Sequence, residues 1–399
     1  MTQATDVHEI ASPYLGDELQ RWRAEVQSFV HRVLVPVSDE VEETGHIPNG
    51  ALNSLKSMGL YGTNTPREYG GLGHSMLGSC LAIEALGAAH IAFYYTCGVN
   101  VHIGSKAIEL AGTQAQRSQY LPKIASGEYV AALAMTEPGA GSDAASIQTQ
   151  ARKEGDGFVL DGQKVFITNA EIADCFTVIA RTNDRDRRGG LSAFLVPKGA
   201  PGLHISPAMD MLAGAGSFHN EVVFKNCRLG ADAMIGEEGQ GFELAMLSLD
   251  HGRTHWAAYS VGLAQALLDL AVKHTNSRVQ FGRALSENQA VRWELADIAT
   301  QVNAARLVAY DAAWRFDRDF EGRRAASAMA KLMNGDLVFA IADRVMQLFG
   351  GYAYAKRSPV ERMWREARVV QILDGTSQMM RQIIGREAVV GTYSNRQPA

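Results

Sequence analysis

Cysteine is scarce. The 399-residue chain has four, Cys80, Cys97, Cys175 and Cys227, with no C-x-x-C pair. That excludes a disulfide framework and a cysteine zinc site, and it fits a reducing compartment. An excess of positive charge is also missing: 38 basic against 43 acidic side chains give a formal charge of -5. A dedicated nucleic-acid binder would show a basic face or stripe, so none is expected. No run reads as long enough to cross a bilayer. The first residues, MTQATDVHEIASPYLGDELQRW, hold neither an apolar signal core nor an Arg-rich targeting pattern. The expectation is a cytoplasmic protein without membrane insertion. There is no G-x-G-x-x-G, no G-x-x-x-x-G-K and no G-x-S-x-G elbow, so neither a dinucleotide fingerprint nor serine-hydrolase chemistry has a foothold.

What is present is ordinary for a large globular enzyme: 46% hydrophobic and 20% charged residues, in a length that allows two or three domains. The texture changes twice. Residues 1–128 read as helical; Leu19, Trp22, Val26, Phe29, Val30 and Val33 recur at helical spacing. The stretch GSCLAIEALGAAHIAFYYTCGVNVHIGSKAIELAG is apolar almost all round and should be buried. Residues 129–235 give short β-branched and aromatic runs such as FVLDGQKVFITNA and NEVVFKNCRL, separated by Asp-Gly, Gly-Gly and Pro-Gly pairs. That predicts a middle β-barrel or sandwich. The mixed-charge RTNDRDRRGG at 181–190 reads as an exposed loop between strands. Residues 236–399 return to helical period and predict a C-terminal four-helix bundle. The fold class is mainly α with a β domain.

Several segments could carry chemistry. HGRTH sets His251 and His255 four apart, a metal-ligand spacing, but it lacks the glutamate of H-E-x-x-H and no further Cys/His cluster completes it; no metal is expected. AFYYTC at 92–97 suits core or pocket lining. MTEPGAGSD at 135–143 brings backbone amides together with the Thr136 and Ser142 hydroxyls. Such a loop suits a phosphate or a heterocycle edge, or is plain irregular chain. In QILDGTSQMMR, Asp374 is a turn residue or a base; Asp-Gly and Thr-Ser are good turn and cap chemistry.

Taken in order, TEPGAGSD, KVFITNA, RVQFG, QLFGGY and DGTSQMMRQIIGRE resemble the flavin-dependent acyl-CoA dehydrogenase family, over about residues 17–390, and PREYGGLG resembles that family's N-terminal turn. The resemblance implies three domains, one non-covalent FAD per subunit and a homotetramer. It places Thr136 and Thr168 beside the isoalloxazine ring, Gly141 and Ser142 near the pyrophosphate, and Phe166 over one flavin face. Arg278, Phe281, Gln347 and Gly351 would reach the adenine half of a neighbouring subunit's FAD. Thr376 and Gln378 would touch the cofactor near the last helix. The reaction implied is α,β-dehydrogenation of an acyl-CoA thioester: a carboxylate takes the α-proton and the β-hydrogen leaves as hydride to flavin N5. Electrons then pass to an electron-transfer flavoprotein.

The commonest base of the family is a glutamate just before the Gly-Thr of the final motif. Here that position is Asp374, one methylene shorter. The alternative base position, on a central helix before an arginine, is Gly252 followed by Arg253. Asp374 is thus the expected base, with Arg253 tuning its ionisation. Tyr95, His255, Trp256, Tyr259, Leu373 and Gly375 are expected to line the substrate pocket. Trp256 and Tyr259 fit helix core or pocket lining equally; if they line the pocket, their bulk points to a short, branched or cyclic acyl group. Ala215 stands where the family often has arginine, in DMLAGAGS, which keeps an acyl-carrier-protein thioester open. A nitroalkane oxidase-like carbon-acid oxidase is the other alternative, because those relatives also use an aspartate.

Overall fold

The 3.6-residue period of the N-terminal region becomes a layer of helices. In the computed structural model, residues 15–184 and 186–390 are described; the first 14 residues of the stretch read for targeting, residue 185 of the mixed-charge loop and residues 391–399 lie outside them. The layer comprises α1 (Asp17–Phe29), α2 (Ser38–Thr44), α3 (Asn49–Ser57), α4 (Met76–Leu86), α5 (Ile91–Tyr94), α6 (Lys106–Ala111) and α7 (Gln114–Ala125). Ser75 caps α4, and a Thr113/Gln116 capping box opens α7, each satisfying amides that a helix start leaves free. Between α5 and α6 the chain runs as a π-helical segment, Tyr95–Gly104, every residue of it buried. Such wide turns concentrate at functional sites.

The middle region contributes β1 (Ala131–Ala134), β2 (Gln150–Glu154), β3 (Gly157–Thr168), β4 (Cys175–Arg181), β5 (Leu191–Pro197), β6 (Leu203–Ile205), β7 (His219–Leu229) and β8 (Met234–Ile235). They order as β6-β7-β3-β2-β4-β5-β8, with β1 parallel to β4. Among the described residues the two halves share one ladder pair, Gln150 with Arg181. One apolar cluster, with Phe176, Val178, Phe194 and Val222, fills one side; a second, with Ile179, Leu191 and Leu195, faces α7 and the next helix. The charged loop after Arg181 joins the antiparallel pair β4–β5.

The C-terminal region holds α8 (Gly241–Ser277), a small hairpin β9 (Val279–Gln280) and β10 (Arg283–Ala284), α9 (Gln289–Asp317), α10 (Arg323–Phe349), α11 (Gly351–Tyr354), α12 (Pro359–Val369) and α13 (Ser377–Val390). Helices α8, α9, α10 and α13 form the bundle, and α4 lies against α8. At that crossing, backbone meets backbone: a Cβ on Gly262 would sit 1.7 Å from Glu84 O, and one on Gly87 2.5 Å from Tyr259 O. Helix α10 corrects one reading of the sequence. By length and composition it is apolar enough to cross a bilayer, yet 61% of its most apolar window is buried inside the protein. It is spent on the core.

Candidate active site

The α12–α13 loop brings Asp374 against α8 and α10. Its backbone is left-handed, with φ 51°, a conformation aspartate tolerates better than most side chains. Gly375 follows at φ 97°; a Cβ there would lie 2.8 Å from Met380 Cε and 3.3 Å from Arg253 Nη2. Only glycine fits. Thr376 Oγ1 accepts from Met379 N at 3.3 Å and starts α13, while Gln378 is exposed on its first turn. Asp374 is half-buried, and its Oδ2 accepts from Trp256 Nε1 at 2.9 Å. Burial pushes the Asp374 carboxyl above the usual range, outweighing Lys331, Arg253 and the Trp256 indole, which pull it down. Arg253 Nε donates to Asp374 O at 2.9 Å, and its Nη1 to Asp250 Oδ1 at 2.5 Å.

Gly252 borders the same spot. A Cβ there would stand 3.2 Å from Asp374 Oδ2 and 2.6 Å from Ile103 Cδ1. The two alternative base positions therefore converge on one volume, and here the space belongs to Asp374.

Aromatic rings close in behind the carboxylate. Trp256 is 1% exposed, edge-on to Tyr94 at 4.6 Å and to Tyr95 at 5.6 Å. Tyr259 stacks on Tyr94 at 5.3 Å, and Leu373 packs on the same core. Asn169 Nδ2 donates to Tyr95 O at 2.8 Å and ties this wall to the β domain. His255 departs from expectation. It faces away from Asp374: its ring stacks on His102 at 3.4 Å, Nε2 lies 3.0 Å from Ser79 Oγ, and Nδ1 lies 2.8 Å from His251 O. Successive residues on a helix point about 100° apart, so Trp256 reaches the site and His255 does not.

A second group of expected residues gathers at the β1–β3 edge. Thr136 O accepts from Val165 N at 2.8 Å. Phe166, at φ 57°, is 55% exposed, and Thr168 Oγ1 lies 3.2 Å from His219 Nδ1. Burial lowers His219 to about 4, so it is neutral at pH 7. The turn that follows Thr136 is fixed from within: buried Lys164 Nζ bonds Met135 O at 3.1 Å and Glu137 Oε1 at 2.8 Å, and Glu137 accepts the amides of Gln148 and Thr149. Gly141 and Ser142 are exposed on that turn, and a Cβ at Gly139 or Gly141 would meet nothing within 4 Å. Arg278, Gln347 and Gly351 line one cleft of about 550 Å³ beside the β9–β10 hairpin. The Arg278 guanidinium lies 5.4 Å from the centre of the Tyr352 ring, and Phe281 at the hairpin tip is fully exposed at φ 53°.

These features fit FAD. An uncovered aromatic face and two hydroxyls suit a flat heterocycle, open amides suit its phosphates, and a cleft with a guanidinium suits adenine. Sequence reasoning missed Lys331, Asp250, His219 and the Ser79–His102 pair. A lone lysine in the small apolar run AASAMAKLM was the one available signal.

Three family profiles match in chain order: acyl-CoA dehydrogenase N-terminal domain at 16–128, middle domain at 132–227 and C-terminal domain at 239–389. An acyl-CoA dehydrogenase of Bacillus subtilis (strain 168) is 36% identical, covering 95% of this chain and 100% of the relative. The butyryl-CoA dehydrogenase of Megasphaera elsdenii superposes with a TM-score of 0.90 at 33% identity, over 94% of this chain and 99% of that one. The prolyl acyl carrier protein oxidase AnaB gives 0.88 at 26% identity, over 94% and 99%. FAD complexes occur among the matched structures. With all three domains matched and a relative aligned over its whole length, the chain belongs to the acyl-CoA dehydrogenase family and is a FAD-dependent oxidoreductase.

Proposed function

We propose that this dehydrogenase acts on a short, branched or cyclic acyl thioester, with Asp374 as the base that removes the α-proton. The observation that carries the reading is the carboxylate itself: half-buried, raised by desolvation, and backed by rings that leave little depth behind it. A base whose pKa moves towards neutrality matches a weakly acidic C–H better than an exposed aspartate does. Trp256 holds one carboxylate oxygen and leaves the other for the proton. The Asp374 main-chain N–H donates to the thioester oxygen as negative charge develops there. Bound FAD supplies the acceptor for the β-hydrogen and its electron pair. Thr136, Phe166 and Thr168 orient its ring; Arg278, Phe281, Gln347 and Gly351 hold an adenine, that of a neighbouring subunit in a homotetramer. An electron-transfer flavoprotein is the proposed acceptor.

Anaerobic titration with straight, branched and cyclic acyl-CoAs tests this. Bleaching of the flavin band by short or branched members is expected. Fastest bleaching by long straight chains would refute the size assignment.

One observation favours a carrier-protein thioester as the second reading. The 210–217 segment has no basic residue, and Met211 and Leu212 are exposed there. AnaB, by its name, acts on a carrier-bound prolyl group. The same titration with an acyl-carrier protein decides: faster bleaching than with the matching CoA ester supports it.

A further inference from the structure

Three consecutive carbonyl groups around Asp374 are held by two buried cations. Lys331 Nζ donates to Leu373 O at 2.9 Å and to Gly375 O at 2.5 Å; Arg253 Nε donates to Asp374 O at 2.9 Å. Lys331 is 1% exposed, on α10. Burying an ammonium is costly, and the cost must be met by bonds to its three donors. Its two bonds go to the base loop, to carbonyl oxygens rather than to a carboxylate.

The two cations differ in charge balance. Arg253 is paired with Asp250 at 2.5 Å, and Arg324 lies 3.6 Å from the same carboxylate. Among the described residues Lys331 has no such partner at bonding distance; Asp374 and Asp336 attract it through space and Arg253 repels it. Desolvation lowers its ammonium to about 8, so it is still mostly charged at neutral pH. The other groups facing Asp374 are the Trp256 indole and the phenols of Tyr94 and Tyr95, which burial keeps neutral. Lys331 is therefore the cation next to the carboxylate whose charge no close carboxylate cancels.

Geometry gives it a second task. Lys331 fixes the 373–374 peptide plane through Leu373 O and the 375–376 plane through Gly375 O, while Arg253 fixes the plane between them through Asp374 O; together they hold the left-handed turn from which the short side chain projects. An ångström of misplacement in a reacting group is worth about 10²-fold in rate.

We propose that Lys331 is a positioning residue for the dehydrogenation: it grips the loop by the Leu373 and Gly375 carbonyls and aims Asp374 at the substrate α-carbon. The inference rests on Asp374 being the base.

The test uses the FAD-loaded protein and the acyl-CoA that bleaches wild-type flavin fastest. Lys331→Met should lower the rate of anaerobic flavin reduction about 10²-fold, with KM changed far less. Its acid limb should move to higher pH, because a cation beside the carboxylate is gone. Amide hydrogen exchange across 373–377 should quicken, with or without substrate. Lys331→Gln keeps donors for the carbonyls and removes the charge. It should show the same upward displacement with a smaller loss of rate, and it replaces the methionine variant if that one does not fold. Wild-type rate and an unmoved acid limb in whichever variant folds would overturn the proposal. Asp374→Asn separates the two claims. If it still reduces flavin, the base assignment falls and this inference with it. If it is inactive while both Lys331 variants match wild type, the Lys331 role alone falls.

Discussion

One methylene decides how the site must be built. An aspartate reaches less far than a glutamate, so its loop has to be brought closer and held. The carbonyl grips on 373–375 and the glycine at 375 hold the loop in place. Asp374→Asn keeps the Trp256 bond geometry but cannot accept a proton; α-proton exchange in deuterated buffer should fall by about 10²–10⁴-fold. Trp256 combines two functions that substitution can separate. Trp256→Phe removes the N–H and keeps the ring, so the acid limb of the rate profile should shift upward with acyl-length preference unchanged. Trp256→Ala removes the wall: preference should move to longer chains, and stability should fall by about 3–5 kcal/mol, the usual cost of emptying a buried aromatic site. Comparing chain-length series and thermal melts of the two variants checks both. Asp374 was legible in the sequence because it stands in a recognisable motif. Lys331 was not, because its partner Gly375 is 44 residues away along the chain and the contact exists only after α10 and the loop are packed.

Helix α8 sends different neighbours to different tasks: Gly252 and Trp256 to the carboxylate, His255 to a buried polar cluster. In that cluster His102 and His255 stack with Ser79 and Thr63 between α4 and α8. Burial lowers His255 to about 3 and His102 well below the ordinary 6.5. The unfolded chain takes up protons below pH 6.5 that the folded chain refuses, so it gains on the native state as pH falls. Stability should decline from about pH 6.5 towards 3, and His102→Gln should flatten that slope in melts run at stepped pH. Glu42 adds to it. Burial would raise it, but bonds from His90 and Arg365 lower it to about 2, so the stability it lends above pH 4.5 is lost as pH falls towards 2. The helical spacing that predicted α8 gives its period but not which partner each face meets. That is why the sequence grouped Trp256 with His255, whereas the fold sends Trp256 to the Asp374 carboxylate and His255 to the polar cluster.

Across the whole molecule, the change from helix to strand and back was readable because a period of 3.6 cannot pass for a period of 2. The single-pair junction of the sheet at Gln150–Arg181 was not, because strand order is set by long-range pairing that local pattern does not encode. The residues expected to hold FAD lie in two places, the β1–β3 edge and the cleft beside the hairpin. If one FAD is shared between subunits, Arg278→Ala should lose flavin on gel filtration and lower the oligomer mass together. Loss of flavin with the mass unchanged would confine Arg278 to cofactor binding. The crossing of α4 over α8 extends this dependence to a place with no chemistry at all. Because Gly262 touches the Glu84 carbonyl, a single added methyl must wedge the two helices apart. The same α8 carries Trp256 and Arg253 further along, so the wedge would swing them off the carboxylate like a lever. A change at that crossing would detune the enzyme without touching the carboxylate itself.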